Sequence, residues 1–432
     1  MVLKMHRKFA VPLIGSLATA VLLAGCSTSA DSSSNGHSSA PLTVMSDYAP
    51  GDYQNASFVE ALAGFTKETG IEVTPIYSGA NEIYTAYETS VLAKKSPDVL
   101  FVNLYDKSTT WTSTGATLPV TQYIKDWGLD KVVSQAAVSD WTDAKGQVQA
   151  FPYFGFSWPM WYNKALFEKA GIPSLPATTD DLIADAPKLK AIGVTPIAIS
   201  GSDSLGQKFF LQIIQTLMSE DEAKKVFAGG GYCSSPSAMK GIDEFLRLSK
   251  AGVFSENAQG LIGDNVVADF YQSKAAMLPD GSWQFSATPK ELVPSVELGG
   301  MPVPAGSRYT KPVMYQAYTS SAIWLTPSGT KRLSDVEKFV KYMYESNVAS
   351  SVVAGAGNVP VQPIDGLETS LASQPLLLQA LTDTPARVDY AVFPDLYVPG
   401  AKTQALVSAI ATAYAPGATS SDVCAALDGA YK

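Results

Sequence analysis

Pro97-Asp98-Val99-Leu100-Phe101-Val102-Asn103 sets four apolar residues in unbroken succession between turn-forming and polar neighbours. A strand with one wet face alternates, whereas a strand buried on both faces reads as a continuous apolar run, the pattern of a parallel sheet covered by helices. Upstream the pattern extends. Leu42 to Ser46 is a short apolar strand, Phe58, Leu62 and Phe65 recur at helical spacing, and Gly70 stands where a helix stops. Ile71 to Tyr77 is β-rich, and Ile83, Tyr87 and Val91 form a second helical stripe. The order β-α-β-α-β predicts an α/β fold with helices packed on a parallel sheet.

Ligands of such sheets bind outside the carboxyl ends of the strands. Three loops lie there, and they supply Asp47, Tyr48, Asn81, Asn103 and Asp106. Carboxylates, amides and phenols at strand ends suit a polar, hydroxyl-rich ligand. The alternative role for Asp47 or Asp106 is to cap backbone N–H groups.

Downstream, Phe151 to Lys164 is densely aromatic and broken by two prolines and a glycine. A second α/β lobe is expected to begin near 156. Ala165 to Ala170 reads as a short helix. Thr179-Asp180-Asp181 caps another through Lys190, which Pro187 is expected to interrupt, and Gly193 to Gly201 reads as a turn and a strand.

The N-terminus addresses the chain for export. Lys4, Arg7 and Lys8 precede an apolar run, Phe9 to Leu23, that is shorter than the ~20 residues a spanning helix needs. Leu23-Ala24-Gly25-Cys26 resembles the bacterial lipobox, which implies cleavage before Cys26 and lipidation of that residue. Residues 1–25 are then a signal peptide, and the lipidated Cys with its Ser-rich tether fills 26–40. A coil of that length reaches on the order of 20 Å, holding the folded part beside the outer face of the membrane.

Composition removes several functions. The chain of 432 residues has 31 basic and 40 acidic residues. Removing the three signal-peptide cations leaves 28 against 40, a charge of -12 that argues against nucleic acid. The two histidines, His6 and His37, fall in the signal and the tether. Histidine-based nucleophilic catalysis and the usual histidine-containing zinc sites are therefore excluded, and no cofactor or metal is expected. Carboxylate chemistry of the glycosidase kind stays open. Cys233 and Cys424 remain, either bridged or as two buried thiols.

Several ordered segments then resemble one family. They are Phe65 to Val73, Ser96 to Val102, Leu118 to Ile124, Trp161-Tyr162-Asn163-Lys164-Ala165-Leu166-Phe167-Glu168-Lys169-Ala170-Gly171-Ile172, Phe270 to Met277 with Asp280-Gly281-Ser282-Trp283, and Asn358 to Val361. Together they resemble the extracellular solute-binding proteins of ABC importers, in the carbohydrate branch that includes the maltose-binding type. Ser273 stands where that family often has glycine, and Thr179 where it often has tryptophan.

The resemblance implies a two-lobed periplasmic-binding-protein-like fold, each lobe a mainly parallel sheet flanked by helices, with a ligand cleft at the hinge. It implies an N-terminal lobe of 41–155 plus 321–365 and a C-terminal lobe of 156–320 plus 366–432. The chain would cross near 153–158, return near 317–321 and cross again after about 365. The implied function is capture of a sugar, an oligosaccharide, by a lipid-anchored monomer that delivers it to the membrane permease of an ABC importer, without catalysis. Another solute is the alternative, and a secreted glycosidase a weaker one.

A pyranose needs an aromatic plane for its C–H face and acceptors for its hydroxyls. Trp283, whose matching family position faces the cleft, is the expected plane. Tyr153, Phe154 and Trp158 lie where the chain changes lobes, and Tyr315 lies before the return. Asp203, Asp280 and Asn358 complete the candidate set.

Overall fold

The first five elements form in the expected order. The computed structural model describes residues 40–51, 55–79, 82–104 and 108–432. Strands β1 (Leu42–Ser46), β2 (Val73–Tyr77) and β3 (Val99–Val102) alternate with helices α1 (Asn55–Thr69) and α2 (Ile83–Leu92). β1 pairs in parallel with β2 on one side and β3 on the other. All four residues of β3 are buried, as a run without alternation requires, while the middle of β2 is exposed at the sheet edge. Pro75 fits there because an edge strand can spare a donor. α1 buries Phe58, Ala61, Leu62 and Phe65. Each large side chain so removed from water contributes roughly 1.5–3 kcal/mol.

The expectation of mainly parallel sheets needs correction. The sheet continues through β4 (Phe151–Trp158), β9 (Val313–Leu325) and β10 (Val359–Pro360), in the order β10-β4-β9-β3-β1-β2. These added pairings, β3 with β9, β9 with β4 and β4 with β10, are all antiparallel. A second sheet holds β5 (Met160–Asn163), β6 (Thr195–Ile197), β7 (Ala275–Pro279) and β8 (Val296–Gly299) in the order β6-β7-β5-β8, and only β6 with β7 is parallel. β11 (Asp389–Tyr390) pairs in parallel with the start of β9. The physical reason is the route of the chain. β4 leads across Pro159 into β5 of the other sheet, and β9 enters from the other direction, with Val313 bridged to Met301 just after β8. A strand returning from the opposite side meets its neighbours head to tail.

Where β4 and β9 lie side by side, the register shifts twice, between Pro152 and Phe154 and between Phe154 and Phe156. Gly155 sits in this irregular stretch. A Cβ there would stand 2.1 Å from the Ala317 carbonyl oxygen, so only glycine lets the two backbones approach so closely.

Two further local readings change. The helix Thr179–Ala191 is capped by Thr178, whose hydroxyl accepts from Asp181 N while Asp181 accepts from Thr178 N. It runs unbroken through Pro187. Pro187 is exposed, so the carbonyl that its missing N–H leaves without a helical partner can turn toward water. Ser273, standing in for a common glycine, has φ +55°, the left-handed conformation that explains the family's preference.

Cys233 and Cys424 form a disulfide across 191 residues of sequence. Asp428, in the same C-terminal helix as Cys424, accepts from the backbone N–H groups of Gly231 and Tyr232 at 2.8 and 2.7 Å. Together they fix the end of the chain to the loop before the helix Pro236–Lys250.

Candidate functional site

A cavity of about 470 Å³ is walled by residues from both sides of the β4–β9 crossing. The size is within the range of small-ligand sites. One wall is polar and the other aromatic.

The polar wall begins at the helix Gln135–Asp140, whose first turn is capped by Ser134. Its C-terminal end is clipped to β9. Tyr318 N donates to Asp140 Oδ2 at 2.9 Å, and the buried Trp141 donates its indole N–H to the Tyr318 carbonyl. Burial raises the Asp140 carboxyl above its ordinary range, and the Tyr318 N–H only partly offsets this. Asp143 Oδ1 accepts from Lys145 N and Gln147 N, both at 2.9 Å, which closes the turn that brings Gln149 back to the cavity. The Gln149 side-chain carbonyl is buried with no hydrogen-bond partner. Asn103 joins this wall from the end of β3, and Thr319 joins it from β9.

The aromatic wall is a cluster of four rings. Trp158 and Trp283 meet edge to face at 5.1 Å, and Phe156 touches Trp283 at 5.6 Å and Phe393 at 5.3 Å. β4 supplies Phe156 and Trp158 on alternate residues, so they share one face. Trp283 follows the turn Asp280-Gly281. A Cβ on Gly281 would stand 2.2 Å from the indole ring, so glycine lets the indole fold back over its own backbone. Lys208, on the helix Ser204–Ile214, reaches over this wall. Its ammonium lies 5.3 Å from the Trp158 ring and 2.9 Å from Asp395 Oδ2.

Of the candidates read from the sequence, Asn103, Trp158 and Trp283 line the cavity. Others stand behind it. Asp203 caps the helix that carries Lys208, accepting from Leu205 N at 3.1 Å, Ser200 Oγ at 2.6 Å and Gly263 N at 2.6 Å. Asp280 is buried beneath the Trp283 turn, accepts from Gly281 N at 2.7 Å, and has its carboxyl pushed up to about 7 by burial, with the nearby Asp203 charge adding to it. The Tyr315 hydroxyl donates to the Lys208 carbonyl at 2.9 Å from within the core.

A third set lies in the core, away from the cavity. Tyr48, Tyr153 and Phe154 pack with Phe101, and Asn358 is buried after the helix Ser346–Ala356. Asp47 is half-buried at the end of β1 and does not line the cavity. Asn81, Asp106 and Cys26 lie outside the described residues.

Sequence reasoning missed Asp140, Asp143, Gln149, Lys208, Phe393 and Asp395. Lys208 carried a readable signal, a cation inside Phe-, Leu- and Ile-rich helical sequence. Asp140, the last residue of its helix, and Asp143, in the turn after it, carry no pattern that sets them apart.

The model of the family described as bacterial extracellular solute-binding protein matches residues 51–349. A multiple sugar-binding protein of Streptococcus mutans is 29% identical over 233 residues, 48% of this chain and 53% of the relative. The chain thus spans about half the length of the curated relatives it matches. Among solved structures, a probable secreted solute-binding lipoprotein from Streptomyces coelicolor has a TM-score of 0.84 at 37% identity, covering 91% of this chain and 99% of that one. The cyclic alpha-maltosyl-1,6-maltose binding protein from Arthrobacter globiformis shares the fold at 16% identity, with a TM-score of 0.71 over 91% of this chain and 98% of that one.

Proposed function

This chain belongs to the bacterial extracellular solute-binding proteins, and from that premise we propose that its cavity captures a saccharide for an ABC importer. The family consists of binding proteins rather than enzymes. The observation that carries the sugar reading is the pairing of two walls: indoles 5.1 Å apart face a cavity that Asp140, Asp143 and Gln149 also line. Indole faces cover the C–H surface of a pyranose, and the acceptors take its hydroxyl protons. The sugar-binding relative from Streptococcus mutans supports the same reading.

In this reading residues 41–155 plus 321–365 form one lobe, and 156–320 plus 366–432 form the other. The lobes close on the ligand by bending at the β4–β9 crossing, and the permease distinguishes the closed form. A lipid on Cys26 holds the monomer at the outer face of the membrane, which the secreted lipoprotein from Streptomyces coelicolor supports. Among the described residues no helix is long and apolar enough to cross a membrane.

The test is a titration of the soluble domain with mono- and oligosaccharides, read by tryptophan fluorescence and by chromatography of the sugar afterwards. A saturable signal with unchanged sugar is expected, and Trp283→Ala should shift it to roughly thirtyfold higher sugar concentration. No response to any sugar overturns the sugar reading. A shortened sugar overturns the exclusion of a glycosidase.

A further inference from the structure

Among the described residues the cavity is lined by three carboxylates and one ammonium. Among the described residues Asp140, Asp143 and Asp395 face it, and Lys208 is its single cation. Lys208 is not available to an incoming anion. Its ammonium is ion-paired with Asp395 at 2.9 Å, it lies over the Trp158 and Phe393 rings, and its side chain is only 10% exposed.

On the polar wall Asp143 Oδ1 is satisfied by the Lys145 and Gln147 N–H groups, but two other acceptors are short of donors. Asp140 receives one backbone N–H, and the Gln149 side-chain carbonyl receives none. Hydroxyl or ammonium groups satisfy such atoms, whereas a ligand carboxylate, phosphate or sulfate would add an acceptor and a like charge in a partly desolvated space.

We propose that the cleft selects saccharides free of acidic groups, with Asp140 and Asp143 repelling a uronate and Asp395 holding Lys208 out of reach as its counter-ion. This rests on the sugar reading above and narrows it to neutral or amino-bearing saccharides. Asp395 is then a specificity-determining residue. Removing its charge, with the amide kept in place, leaves Lys208 unneutralised beside the aromatic wall and gives the cleft a cation for a carboxylate to meet.

The experiment presents the soluble domain with three oligosaccharide pools: neutral cello-, malto- and xylo-oligosaccharides, glucosamine oligomers and galacturonate oligomers. Retained species are read by native mass spectrometry, and each retained sugar is titrated calorimetrically. The unsubstituted protein is expected to retain neutral or glucosamine oligomers, with galacturonate oligomers at least about tenfold weaker. Asp395→Asn is expected to raise galacturonate binding about tenfold, and adding Lys208→Met should abolish that gain.

Retention of galacturonate oligomers by the unsubstituted protein at comparable affinity overturns this inference and leaves the sugar reading standing. Retention from none of the pools overturns both. If Asp395→Asn does not fold, as judged by circular dichroism, the discrimination by the unsubstituted protein still decides the matter. A folded Asp395→Asn with no gain removes Asp395 from the role given to it.

Discussion

Two of the aromatic clusters in this molecule are finished differently. In the sealed one, Trp111 lies 4.8 Å from Tyr87 and 5.5 Å from Trp324, which lies 5.4 Å from Trp141. Every polar tip there has an internal partner. Trp324 donates to the Val102 carbonyl at 3.0 Å, Trp111 to Glu88 at 2.9 Å, Tyr87 to the Ala116 carbonyl at 2.6 Å, and Trp141 to the Tyr318 carbonyl. In the open cluster of Phe156, Trp158, Trp283 and Phe393, the indole N–H groups make no hydrogen bond among the described residues, and all four rings front the cavity. Ring density alone does not mark a binding site. What separates a core from a recognition surface is whether the polar handles are already used.

That contrast can be broken at four points. Trp324→Ala in the sealed cluster should cost about 3–5 kcal/mol in denaturant unfolding, the loss expected for a large cavity in a packed core. An unchanged midpoint would mean the sealed cluster is not sealed. Next comes Asp280, beneath the open cluster. Its carboxyl titrates near 7 when folded and near the ordinary carboxylate value when unfolded, so the native state binds the proton more tightly. Its cost to stability is absent in acid, grows as pH rises through that window, and is constant above it. Asp280→Asn should therefore gain on the unsubstituted protein by on the order of 3 kcal/mol between pH 5 and pH 8. A difference that does not change with pH would remove the buried charge from this account.

Smaller effects belong to the cavity walls. Trp283→Ala should weaken sugar binding by about 2 kcal/mol, roughly thirtyfold, while moving stability less than Trp324→Ala does. The reverse pattern would make Trp283 a core residue. Asp140→Asn should weaken binding by about 1 kcal/mol and leave stability at neutral pH unchanged or higher, because burial makes the charged form of Asp140 costly. Loss of stability with no change in affinity would assign Asp140 to the clip on Tyr318 alone.

The local fold was legible wherever side-chain burial is one-dimensional. The run Val99–Val102 and the stripe Phe58–Leu62–Phe65 state which faces are dry, and the strand and helix follow. The direction of β9 was not legible, since antiparallel pairing with β3 depends on a chain that leaves for the second sheet and comes back. The site was legible where chemistry coincided with a local break, as with Trp283 after Asp280-Gly281. It was illegible at Asp140, Lys208 and Asp395, which come from three distant segments and acquire meaning only when packed together. Tyr153 and Phe154 show the converse: strict alternation would set Phe154 on the face of Phe156 and Trp158, but the register shift between Phe154 and Phe156 breaks the series, and Phe154 packs on Phe101 in the core while Phe156 and Trp158 line the cavity.

The link between Cys233 and Cys424 has a mechanical meaning. It turns 191 residues into a closed ring, and Trp283, Asp395 and the whole of β9 lie within it. A chain gripped at its two ends and stretched could pay out only the segments before Cys233 and after Cys424. Roughly 650 Å of extended length stays locked inside the ring. Tension on the two ends would then unravel β1 to β6 while Trp283 and Asp395 stay within one loop, and a thiol reductant would release that length in a single added step.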